Sequence, residues 1–110
     1  MNRFIVCAVV AGVGLARPAS AQDASVKGAQ IFADQKCSLC HSIAGKGNTK
    51  GALDDVGSRL KADDIRAWIT DAKGMTAKTK AARKPEMRAF TLATDDVDAL
   101  VAYLSAMKKK

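Results

Sequence analysis

The densest concentration of chemistry in the chain is Cys37-Ser38-Leu39-Cys40-His41. Two thiols three residues apart on one helical turn can each form a thioether with a vinyl group of the same porphyrin. A histidine beside the second thiol then projects beneath the ring and binds its iron. Cys-x-x-Cys-His therefore reads as the attachment sequence of one covalently bound haem c. Cys37 and Cys40 are its thioether donors and His41 its proximal axial ligand. Zinc is a poorer reading: a structural site needs four ligands, and residues 22–110 hold no other Cys or His. A thioredoxin-type dithiol expects a strand ahead of the motif within a βαβ pattern, and none is visible. A disulfide across two residues closes too short a loop to add much stability.

With His41 the single histidine, the sixth iron ligand must be another residue type, and methionine is the usual alternative in electron-carrying haem proteins. Met75, Met87 and Met107 are the candidates outside the N-terminal segment. Met107 continues the apolar stripe of the last expected helix and reads as core. Met75 follows directly on Gly74, an expected helix stop. Met87 lies in Lys84-Pro85-Glu86-Met87-Arg88-Ala89-Phe90, where Pro85 stiffens the backbone and no helix competes. Met87 is the expected distal ligand and Met75 the second choice.

The elements that must carry these groups are few. A chain of 110 residues has room for one domain, and 48% apolar residues exclude a disordered tail. One Tyr, one Trp and three Phe leave little for the stacking platforms of single-strand nucleic-acid binders. Met1-Asn2-Arg3, the uncharged apolar run 4–15 and Ala19-Ser20-Ala21 have the three-part layout of a secretory signal, with cleavage expected after Ala21. Twelve apolar residues fall short of the about 20 that cross a bilayer, so no stable membrane anchor is expected. Cleavage would remove Cys7, Arg3 and Arg17 and no acid, lowering the net charge from +7 to +5. It would leave residues 22–110 as one domain in the periplasm, an oxidising compartment.

No strand pattern is sustained. A first helix is expected over 23–36, with Val26, Ala29, Ile31 and Phe32 as its apolar members. A second is expected over 63–73, where Ile65, Trp68, Ile69 and Ala72 share a face and Gly74 stops it. A third begins at an N-cap Thr94, with Val97, Leu100, Val101, Leu104 and Met107 as one stripe and Lys108-Lys109-Lys110 as a solvated end. Residues 45–51 and 75–92 are expected to be loops.

Over essentially all of residues 22–110 the chain resembles the class I cytochromes c of bacterial exported type. The likeness is carried by Gly28, Ile31 and Phe32, the CSLCH motif, Val56-Gly57-Ser58-Arg59-Leu60, Ile65-Arg66-Ala67-Trp68-Ile69, Met87-Arg88-Ala89-Phe90, and the segment 95–104 ending Val101-Ala102-Tyr103-Leu104. It implies a small all-α fold, with N- and C-terminal helices crossing at Gly28 against Phe32 and Tyr103, and a middle helix and long loops packed around the haem. It also implies Met87 as the sixth ligand. The family's Gly-Pro-x-Leu, whose proline carbonyl accepts the ligand histidine's N–H, is replaced by Gly51-Ala52-Leu53, which leaves Ala52 as the expected acceptor.

From Lys73 to Arg88 there are six basic residues and one acid, +5 in sixteen residues. With Met87 on the iron, Lys78, Lys80, Arg83, Lys84 and Arg88 border the exposed haem edge. They could dock an acidic surface on a redox partner, or offset the haem propionates. Nucleic acid is a poor partner for an exported protein. The expected function is a one-electron carrier, a monomer or a subunit of a small complex, with no acid–base or nucleophilic set beside the motif. The alternatives are a haem enzyme or ligand sensor with an open sixth site, and an electron-accepting subunit of a dehydrogenase.

Overall fold

A computed structural model describes Gly12, Gly14 and residues 19–110. The expected signal, including Cys7, lies almost wholly outside the described residues. Five α-helices follow in order: α1 (Ala19–Asp34), α2 (Val56–Arg59), α3 (Ala62–Thr70), α4 (Ala72–Thr79) and α5 (Thr94–Ser105). Among the described residues no helix is long and apolar enough to cross a membrane.

The architecture rests on α1 against α5. Ile31 and Phe32 of α1 bury with Val97, Ala99, Leu100, Val101 and Leu104 of α5, joined by Ile65 and Ile69 of α3 and Val56 of α2. Gly28 makes the crossing possible: a Cβ there would run into the Ala99 carbonyl and the Tyr103 Cβ. Phe32 and Tyr103 meet edge to face beside it, with ring centroids 6.2 Å apart at 65°. Ion pairs tie α5 to its neighbours, Lys27 of α1 to Asp96 at 3.1 Å and Arg66 of α3 to Asp98 at 2.7 Å. The helical fold and the expected crossing are both present.

Several local expectations change. Val26 is 66% exposed rather than part of the buried face of α1. Gly74 does not stop a helix. Asp71 ends α3 and caps α4, its carboxylate accepting the Gly74 N–H at 3.2 Å, so the expected second helix breaks at Asp71 and residues 75–79 are helical instead of loop. Thr94 is the first helical residue of α5, and the cap position is Ala93, which has no side chain to accept a bond. A two-residue hairpin, β1 (Ser42–Ile43) paired with β2 (Lys46–Gly47), follows the cysteine motif. Met107 packs half-buried against the core just past α5. The basic C-terminus is tied back there: Met107 accepts from the Gly57 N–H at 2.8 Å, and Lys108 Nζ donates to the Gly57 carbonyl at 2.6 Å.

Candidate functional site

Lys36 ends α1 by taking left-handed backbone angles, φ 57°, and the chain enters a single 3₁₀ turn, Cys37–Leu39. Its hydrogen bonds, Cys40 N–H and His41 N–H to the Cys37 carbonyl at 3.1 and 2.9 Å, hold both thiols and the imidazole on one tight coil. Both cysteines are free thiols and half-buried. Burial is the main influence on Cys37, pushing its thiol above the ordinary range; a backbone hydrogen bond and the Arg88 charge oppose it.

The returning hairpin straps this coil. The Asn48 N–H is shared between the Ser38 and His41 carbonyls at 3.1 and 3.2 Å, and its side-chain amide donates to the Leu39 carbonyl at 3.3 Å. Gly47 has φ +105°, and a Cβ there would strike the His41 carbonyl, so only glycine lets β2 lie this close. Neither residue was singled out as functional from sequence. The turn signal Gly45-x-Gly47-Asn48 was legible, but not which backbone it would cover.

His41 Nδ1 lies 2.9 Å from the Gly51 carbonyl. A carbonyl only accepts, so the proton sits on Nδ1 and the Nε2 lone pair is free to bind a metal. Burial lowers the pKa of His41 and so favours the neutral ring; the Gly51 hydrogen bond opposes this, and the Arg83 charge adds to it. The acceptor corrects the expectation of Ala52. Counting back two residues from Leu53 places Gly51, not Ala52, where the family pattern Gly-Pro-x-Leu has its proline.

Met87 is half-buried on the irregular segment that follows α4, whose far end is fixed by the Phe90 N–H donating to the Ile69 carbonyl at 2.8 Å. Met75 is instead 7% exposed inside the core side of α4. Arg88 lays its guanidinium over the Phe90 ring, 5.1 Å from the centroid. The basic loop thus straddles the motif, with Arg88 acting on Cys37 and Arg83 on His41.

Arg83 and Lys84 line a cavity of about 630 Å³ together with Leu39, Cys40, Asn48, Lys50 and Pro85. Leu39 is 71% exposed there. Lys50, which sequence reasoning passed over, joins the patch because its 3₁₀ turn (Thr49–Gly51) folds beneath the motif. Lys78 and Lys80, at the end of α4, are exposed but do not line this cavity. Lys84 pairs with Glu86 at 2.9 Å and draws that carboxyl below its usual range.

The donor chemistry fits a haem: two unpaired thiols on one turn and, beside them, a neutral imidazole with a fixed tautomer. Residues 25–108 match the protein family Cytochrome c. The chain is also 30% identical over 91 residues to cytochrome c oxidase subunit 2 of Alkalihalophilus pseudofirmus, covering 74% of this chain and 25% of that protein. It therefore spans about a quarter of that relative's length. No solved structure matches significantly. A family match across more than half of its length, on a helical fold with this donor set, shows that the chain belongs to the cytochrome c family, whose members hold haem c covalently and use it to transfer electrons.

Proposed function

We propose that this protein is an exported one-electron carrier of the periplasm, released by cleavage after Ala21, with His/Met axial ligation. The observation that carries the reading is the 2.9 Å contact of His41 Nδ1 with Gly51, immediately after a turn bearing two unpaired thiols. Cys37 and Cys40 hold the vinyl-derived carbons. His41 through Nε2 and Met87 through its thioether sulfur would ligate the iron, which would leave no position on it for a substrate. When bound, the haem supplies the ferric/ferrous couple. The protein keeps both ligands fixed through that change: Gly51 and Asn48 hold the His41 coil, and the Phe90–Ile69 bond anchors the Met87 segment. Little rearrangement then accompanies transfer.

Lys50, Arg83 and Lys84 around the exposed Leu39 form the docking face. An acidic surface on the redox partner is complementary to it. Likeness to an oxidase subunit favours one further reading, a domain held permanently beside its electron acceptor or donor rather than a diffusing carrier.

Carbon monoxide tests the carrier reading. The reduced holoprotein is expected to bind it negligibly over minutes, because both axial positions are filled. Prompt binding would instead support an enzyme or sensor with an open site.

A further inference from the structure

We propose that Arg83 is a positioning residue for the proximal ligand: its guanidinium packs on Gly51 beneath His41, holding the acceptor carbonyl in place and biasing the bound iron toward the ferrous state. This rests on the reading of His41 as that ligand. A Cβ built on Gly51 would collide with Arg83 Nη1 and with the Cys40 carbonyl, so the guanidinium fills the space a side chain at Gly51 would take. Gly51 is not among the residues with positive φ. Backbone freedom therefore does not explain glycine there, whereas the space taken jointly by the Cys40 carbonyl and the Arg83 guanidinium does.

The contact joins two segments that are distant in the chain and line one cavity. Gly51 ends the turn that receives the His41 proton, and Arg83 lies four residues before Met87. A rigid ring at position 51 would restrain this carbonyl covalently; here a planar guanidinium stacked on a bare Cα restrains it by packing.

Arg83 also carries a charge that no carboxylate neutralises among the described residues, unlike Lys84, which pairs with Glu86. The other charges around the cavity, Lys50 and Lys84, are positive as well. A fixed cation near the iron disfavours the more positive ferric form. Arg83 is solvent-exposed, so screening keeps the effect modest.

The test uses holoprotein carrying Arg83→Gln or Arg83→Lys, with two readouts. At fixed solution potential, Arg83→Gln is expected to raise the ferric/ferrous ratio about threefold to tenfold, a fall of ~30 to ~60 mV at 59 mV per decade for one electron. Arg83→Lys should return most of that shift, since it keeps the charge. Solvent exchange of the His41 Nδ1 proton, followed by NMR in the reduced protein, should quicken about tenfold in both variants, because neither has the planar group. An unchanged potential and unchanged exchange in Arg83→Gln would overturn the proposal. So would a potential that falls as far in Arg83→Lys as in Arg83→Gln. Failure of the underlying reading shows separately: His41→Gly would then leave the visible spectrum of the wild-type holoprotein intact.

Discussion

Replacing Gly28 by alanine sets two effects of opposite sign against each other. Gly28 lies inside α1, and alanine in a helix interior is favoured over glycine by about 0.9 kcal/mol. Against this, the added methyl collides with the Ala99 carbonyl, which is backbone and cannot rotate away, and with the Tyr103 Cβ. The helices must part by roughly 1–1.5 Å to recover the ~3.5–4 Å contact distance between carbons. Such overpacking costs about 1–3 kcal/mol, and separation loosens the Phe32–Tyr103 edge-to-face pair, worth a further ~0.5–1.5 kcal/mol. The net expectation is a loss of about 2 kcal/mol. For a domain of this size that lowers the holoprotein's Tm by roughly 8–16 °C. The assay is thermal unfolding followed by far-ultraviolet circular dichroism, with Gly74→Ala as the control. At Gly74 the new methyl meets only the Asp71 carboxylate, a flexible side-chain end, and the propensity gain offsets the weakened cap of about 1 kcal/mol. Gly74→Ala should thus stay within about 0.5 kcal/mol of wild type. A Gly28→Ala protein as stable as wild type, or more so, would mean that propensity alone governs the site and that the α1–α5 crossing is wrongly drawn.

Electron transfer to an acidic partner should slow as ionic strength rises. At low salt, Lys50→Glu with Lys84→Glu should reduce the bimolecular rate about tenfold, the two proteins converging at high salt; stopped-flow kinetics reads this, and a rate indifferent to salt would sink the docking face. Met75→Ala, at a buried position, is expected to cost about 2–5 kcal/mol in urea unfolding while leaving the redox spectrum unaltered. Lys84 holds the Glu86 carboxyl low by hydrogen bonding and charge, so Lys84→Ala should move its NMR titration midpoint up toward the ordinary carboxylate range. An unmoved midpoint would contradict the pair.

The site was legible where chemistry dictates spacing. Cys37, Cys40 and His41 must share one turn to serve one porphyrin, and their order in the chain says so. The crossing at Gly28 was legible because a glycine among apolar helix residues, matched by Val101-Ala102-Tyr103-Leu104, carries the family likeness. What the residues alone concealed depends on partners distant in the chain. Gly74 resembles a helix stop until Asp71 is seen capping its N–H; Ala72, Met75 and Thr79 repeat at helical spacing and could have signalled α4. Val26 has a core residue's chemistry, but its direction on α1 is set by where α5 crosses. The acceptor for His41 was misplaced by one residue because Gly51-Ala52 was aligned on its glycine rather than on Leu53. Lys50, Asn48 and Gly47 gain their roles from a hairpin too short to show any alternation.

The central claim, a haem held between His41 and Met87, is tested most directly by the weak red absorption band of the oxidised holoprotein, which depends on a methionine–iron bond. Wild type and Met75→Ala should both show it, and Met87→Ala should lack it and bind carbon monoxide promptly once reduced. A band that survives Met87→Ala, or disappears with Met75→Ala, would contradict the account.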